Sequence, residues 1–208
     1  NQLFPFSFKD GIKIDSDKFS MWFKILVASV PAGIVGILWD DVFNELFYNY
    51  VTVAIMLIIF GILFIIIEKY NANKSYKINS ISEITYNVAL IIGIFQMIAA
   101  VFPGTSRSGA TIIGALLLGV SRTVAAEFTF FFAIPAMFGG SAIKLLKFGL
   151  NFTQSEIILL LIGMIVAFII SIWIIKFLMS YIKKHDFKVF GWYRIVLGIL
   201  VLAYFIIV

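Results

Sequence analysis

The sequence predicts an all-α, polytopic membrane helix bundle with a re-entrant helical hairpin, comprising half or more of an inverted-repeat architecture. Three observations predict it. Hydrophobic residues make up 62% of the chain and charged residues 13%, with a mean hydropathy of +1.07, a composition foreign to water-soluble domains. The apolar residues are gathered in runs close to the roughly 18–20 residues needed to cross a bilayer. Residues 102–111, Phe-Pro-Gly-Thr-Ser-Arg-Ser-Gly-Ala-Thr, then place an arginine, two glycines and several hydroxyls inside this apolar chain. One integral membrane domain over residues 1–208 accounts for all three.

The elements follow in order. Residues 1–18 mix Lys9, Asp10, Lys13, Asp15, Asp17 and Lys18 and read as a juxtamembrane loop. Residues 19–39 form a first span that tolerates Pro31 as a kink, and Asp40, Asp41 and Glu45 read as a short acidic loop. Residues 50–67 form a second span, and residues 68–83 a polar connection with Lys69, Lys74 and Lys77. Residues 86–102 are apolar up to the motif, and residues 112–120 are apolar after it. Residues 122–146 form a long segment interrupted by Pro135 and by Gly139-Gly140, residues 156–182 a further span, and residues 190–208 the last.

Lysine and arginine placement chooses between two topologies, because cytoplasmic loops of membrane proteins are enriched in both. If residues 86–102 cross fully, the two sides hold nine and five cations, Arg107 among the five. If the two apolar arms form a hairpin that dips to mid-membrane and returns, eleven cations gather on one side, from Lys9 through Lys188. Only Lys144 and Lys147 then lie opposite, with the acidic loop. The hairpin is the better fit. The net charge of +5 is thus a record of topology and is small for nucleic-acid binding, and the absence of cysteine excludes disulfides and thiolate metal or redox sites.

The motif has a chemistry of its own. Pro103 and Gly104 end the preceding helix, and Thr105 or Ser106 can cap the next. A helix N-terminus offers free N–H groups to an anion, and hydroxyls with an arginine beside it complete a phosphate cradle. Arg107 and Thr111, four apart, and Ser108 and Thr111, three apart, share a helix face. An arginine within a bilayer is costly enough that a functional reading comes first. Inert alternatives stand beside these readings. Arg107 could tie carbonyls at a helix break, Ser108 and Thr111 could bond back to their own helix, and Gly104 and Gly109 could serve the turn and close packing. Glu127 is expected to pair with an arginine, Arg194 to snorkel or else to reach the cavity, and His185 to face solvent.

Pro103-Gly104-Thr105-Ser106-Arg107-Ser108-Gly109-Ala110-Thr111, followed by Gly119-Val120-Ser121-Arg122 and Ala126-Glu127-Phe128, resembles the bacterial undecaprenyl-pyrophosphate phosphatases of the bacitracin-resistance type. The likeness covers the whole chain, through Pro31, Phe95-Gln96, Pro135 and Tyr193-Arg194. It implies a multi-pass enzyme of the bacterial plasma membrane that converts undecaprenyl pyrophosphate to the monophosphate for peptidoglycan synthesis, so conferring bacitracin resistance. It also implies a divalent cation, Mg²⁺ or Ca²⁺, and a second hairpin. Carried over residue by residue, Ser106, Arg107 and Thr111 are catalytic, while Gly104, Thr105, Ser108 and Gly109 bind substrate phosphate. Arg107 would clamp the diphosphate, and Ser106 would hydrogen-bond a phosphate oxygen or act as nucleophile.

The family's Glu-rich first motif is not found, so no metal ligands are assigned in this chain, which is expected to be a fragment lacking an N-terminal hairpin. Gln96 and Phe102-Pro103 resemble a degenerate echo of that motif. Histidine-dependent lipid phosphatases need two histidines, and His185 stands alone. A lipid-carrier flippase and a diphosphate-binding protein are the other functions weighed. The partners expected are the lipid substrate, membrane lipids and a second copy in a homodimer.

Overall fold

The computed structural model describes residues 6–7, 13–14, 16–149 and 152–207. Among the described residues there are seven α-helices: α1 (Ser16–Phe47), α2 (Tyr50–Asn71), α3 (Tyr86–Val101), α4 (Arg107–Leu117), α5 (Arg122–Phe148), α6 (Gln154–Ile182) and α7 (Lys188–Ile207). Two-residue strands β1 (Phe6–Ser7) and β2 (Lys13–Ile14) pair antiparallel before α1; the rest of the juxtamembrane reading lies outside the described residues. Five helices (α1, α2, α5, α6 and α7) are long and apolar enough to cross a membrane, while α3 and α4 are shorter. This is a multi-pass membrane protein.

Local chemistry sets the helix ends. Asn49 caps α2 by accepting from the Thr52 N–H, Thr85 caps α3 by accepting from Val88, and Thr153 with Glu156 forms a reciprocal capping box on α6. Several boundaries differ from the sequence reading. The acidic stretch is not a loop: α1 continues through Asp40, Asp41 and Glu45, since no Gly or Pro stands between Trp39 and Phe47. Likewise α5 runs unbroken through Pro135 and Gly139-Gly140. Glu68, assigned to the polar connection, lies in α2 and is buried.

Helices α3 and α4 form an antiparallel hairpin. Phe95 and Gly114, equally far from the turn, touch: a Cβ on Gly114 would stand 2.7 Å from the Phe95 ring. The hairpin's two ends also meet, because Ile78 bridges to Val120, with the Lys77 N–H donating to the Gly119 carbonyl (2.8 Å) and the Ser121 N–H to the Ile78 carbonyl (2.8 Å). The chain therefore leaves the hairpin at the end where it entered, and Lys77 and Arg122 share that end. One core, with Ile25, Ala28, Ile92, Phe128 and Phe132, joins α1, α3 and α5; a second, with Phe60, Phe64, Ile113, Leu116 and Phe187, joins α2, α4 and the start of α7.

Helices α2 and α7 approach backbone to backbone. A Cβ on Gly61 would stand 2.7 Å from the Gly191 carbonyl oxygen, and one on Gly198 would stand 2.8 Å from that of Ala54. Without a hydrophobic force between helices in lipid, such small-residue contacts are what lock a pair. At the hairpin's open end Glu68 gathers three elements: it accepts from Arg122 Nε (3.0 Å) and Nη2 and from the Phe187 N–H (3.0 Å). Asn71 donates to the Leu116 carbonyl beside it (3.1 Å), and burial raises the Tyr76 phenol above its ordinary value. Glu127 does not pair with the nearby Arg122, whose partner is Glu68; it lies with Lys18 and Thr123 on the wall of a groove. His185 is exposed as expected, stacked on Tyr181.

Candidate active site

The turn between α3 and α4 is built by conformations few residues accept. Gly104 has φ of +91°, and a Cβ there would collide with the Val53 backbone of α2, so glycine is required on two counts. Ser106 follows with φ of +63°, the one non-glycine residue in that half of the Ramachandran map among the described residues. Such a backbone costs on the order of 1–3 kcal/mol and persists only where its surroundings enforce it. The turn stands beside Val53, near the start of α2, and the Phe102 ring meets that of Phe47 at 4.8 Å. It thus lies closer to one end of α2 than to its middle.

Of the two caps foreseen, Ser106 is the one used. Its Oγ accepts from the Gly109 N–H (3.2 Å) and its carbonyl from the Ala110 N–H (2.9 Å), which leaves the amides of Arg107 and Ser108 without partners inside the helix. Arg107 and Ser108 are exposed, and Ser108 Oγ lies 3.4 Å from Ser106 Oγ. Among the described residues no carboxylate pairs with Arg107. The mouth of the site is therefore an uncommitted guanidinium, two hydroxyls and the positive end of a helix dipole, an arrangement that suits a phosphate group.

The other predicted residues lie beneath. Gly109 is buried under the Phe64 ring, where a Cβ would have 3.3 Å. Thr111 is also buried: its hydroxyl stands 3.2 and 3.0 Å from the Arg107 and Ser108 carbonyls and 3.0 Å from Thr129 Oγ1. Thr105 is fully buried, and its Oγ1 has no hydrogen-bond partner among the described residues. The seven named residues thus divide into an exposed pair, Arg107 and Ser108, a half-buried pair, Gly104 and Ser106, and a closed layer of Thr105, Gly109 and Thr111.

Arg194, for which the sequence leaves both snorkelling and reaching the cavity open, turns inward from α7, and its Nη1 donates to the carbonyls of Gly104 (3.3 Å) and Thr105 (3.2 Å). The signal available was an arginine set within an apolar span. The fit to a metal ion is poorer. Among the described residues no three His, Asp or Glu side chains come together, and Glu68 is spent on Arg122 and Phe187.

The family model described as bacitracin resistance protein BacA matches residues 3–200. The chain belongs to the BacA family. Among its curated relatives, a Desulfitobacterium hafniense protein named undecaprenyl-diphosphatase is 68% identical over 98% of this chain and 73% of its own length. Undecaprenyl-diphosphatase 1 of Clostridium acetobutylicum is 66% identical over 100% of this chain and 76% of its own. An Enterococcus faecalis undecaprenyl-diphosphatase is 59% identical over 97% and 74%. The turn that carries Ser106 and Arg107 lies well inside the stretch this chain shares with the BacA family.

Proposed function

We propose that the chain removes the terminal phosphate from undecaprenyl pyrophosphate, returning undecaprenyl phosphate to peptidoglycan synthesis and so conferring bacitracin resistance in the bacterial plasma membrane. The observation that carries the reading is the Ser106-capped N-terminus of α4 with Arg107, unpaired among the described residues, beside it, in a membrane protein whose relatives bear the name of that activity. Arg107 offers a planar fork to two oxygens of one phosphate, and the amides of Arg107 and Ser108 meet a third. Charge that grows on the transferring group meets these fixed donors. Water supplies the attacking oxygen, the phosphoanhydride bond breaks, and the lipid monophosphate leaves with the bonding pair. Ser106 serves as hydrogen-bond donor, because neither an imidazole nor a carboxylate touches its Oγ among the described residues to act as base. Thr111 braces the cradle through its bonds to the carbonyls of the first helical turn.

The divalent cation belongs to this proposal as well, but the described residues hold no ligand set for it, so no step above passes through it. Re-entry of the α3–α4 hairpin into the bilayer is supported by the shortness of both helices and by the junction of Ile78 with Val120. The homodimer is supported only by apolar surface, and the mass of the detergent-solubilised particle tests it. The experiment for the activity uses proteoliposomes loaded with undecaprenyl pyrophosphate in both leaflets. Inorganic phosphate released with Mg²⁺ or Ca²⁺ is the expected result. Movement of labelled carrier between leaflets without phosphate release would replace this reading with a flippase, and saturable binding without either would leave a diphosphate-binding protein.

A further inference from the structure

We infer that Arg194 is a positioning residue for this reaction: from α7 it fixes the two carbonyls before Ser106 and so sets the phosphate cradle. The inference rests on the proposed activity, and it starts from an arginine that has no carboxylate partner among the described residues although it sits in a membrane-spanning helix. Its Nη1 reaches across to the carbonyls of Gly104 and Thr105, 90 and 89 residues away in sequence. Those two peptide groups join the two residues of the turn with positive φ, Gly104 at +91° and Ser106 at +63°. Holding their oxygens on the α7 side fixes the peptide planes that lead into the cap. It also turns two carbonyl dipoles, which would repel a phosphate, towards a cation.

The rest of the turn has little else to hold it. Thr105 Oγ1 is buried and without a partner among the described residues, and the Thr105 N–H makes a long 3.4 Å bond to the Phe102 carbonyl. Val53 supports Gly104 by shape alone. The anchor itself is firm, because α7 is locked to α2 by glycine at Gly191 and Gly198, three residues before and four after Arg194. The α2–α7 pair thus clamps the turn from outside the hairpin, Val53 by contact and Arg194 by hydrogen bonds. Because the acceptors are backbone carbonyls, one N–H donor on a cation suffices, and lysine should substitute in part. That separates Arg194 from Arg107, whose planar fork lysine cannot reproduce.

The test compares Arg194→Lys and Arg194→Met with the parent in phosphate release from undecaprenyl pyrophosphate. Positioning predicts a kcat about 100-fold lower for Arg194→Met, with KM changed less than about threefold, and recovery to within about tenfold of the parent for Arg194→Lys. A raised KM with kcat unchanged would make Arg194 a phosphate ligand and overturn the inference, as would parental kinetics in Arg194→Met. A readout that needs no turnover separates this inference from the proposed activity. The chain has no cysteine, so Ser106→Cys places a single thiol at the cap of α4, where a helix N-terminus lowers thiol pKa. Its alkylation rate against pH should shift to higher pH with Arg194→Met and not with Arg194→Lys. An unshifted profile overturns the inference even if no lipid is hydrolysed, whereas a shifted profile with no hydrolysis by the parent overturns only the activity. If Arg194→Met does not fold, Arg194→Gln, a neutral donor, takes its place with the same criteria and an intermediate shift.

Discussion

Helices α4 and α6 are both apolar, yet they are built for opposite surroundings. Of the 11 residues of α4, eight are buried; of the 29 in α6, only Ile182 is. Their side chains explain the difference. Helix α4 carries Gly109, Ala110, Gly114 and Ala115, which admit Phe64 and Phe95 to its backbone, whereas α6 presents Leu, Ile, Phe and Trp with a single glycine, Gly163, that touches nothing. In lipid, apolarity gives two helices no reason to associate, and small residues and polar bonds decide which helix is enclosed. The site opens at the N-terminus of that enclosed helix. Hydropathy finds membrane helices, and residue size finds the interior.

The largest expected effect belongs to the mouth of α4. Arg107→Lys retains the charge and loses the fork, and kcat/KM for undecaprenyl pyrophosphate should fall by at least about 100-fold in protein that elutes and melts like the parent. Leu160→Ala in α6, by contrast, should leave both rate and melting temperature unchanged, and a comparable loss there would break the comparison. Next comes the turn. Gly104→Ala combines positive φ with collision against Val53 and should destabilise by about 3 kcal/mol or abolish the folded particle, read as the detergent melting temperature. The Glu68 cluster follows. Glu68→Gln leaves Arg122, partly exposed, without its counter-ion, and a loss of about 2 kcal/mol, below the full buried-pair figure, is expected in the same assay.

The smallest effect is a pH dependence at the hairpin's open end. The Asn79 N–H and the Ser80 hydroxyl donate to the Glu83 carboxylate, both at 2.8 Å, and hold its pKa below the usual value. A depressed pKa makes the stabilisation complete above the unfolded-state value, about 4.3, and removes it as pH falls through the folded value. Melting temperature should decline on acidification a little more steeply for the parent than for Glu83→Gln. Equal slopes would mean that these bonds contribute nothing to stability.

Much of this was legible in sequence, for identifiable reasons. The spans follow from hydropathy, and the returning hairpin from the lysine and arginine balance, which the Ile78–Val120 junction matches. Ser106 as cap follows from the Pro-Gly break and from local geometry. Helix ends were less legible, because Asp40 to Glu45 contain no breaker and because Gly139-Gly140 can remain helical within an apolar segment. The bonds that Glu68 and Arg194 make were beyond a sequence reading. Their partners lie 54, 119 and 90 residues away, and only the folded backbone brings them together. Thr111 lay between these cases: the back-bonding was foreseeable from its spacing, but the bond to Thr129 was not.

The central claim is that the turn between α3 and α4 is where phosphate leaves the lipid. It is tested most directly by measuring inorganic phosphate and lipid monophosphate together, from undecaprenyl pyrophosphate in detergent with Mg²⁺ or Ca²⁺, for the parent and for Arg107→Lys. One phosphate per monophosphate formed by the parent, and almost none by a folded Arg107→Lys, is the result predicted. No release by the parent with either ion, or equal release by both proteins, would contradict it.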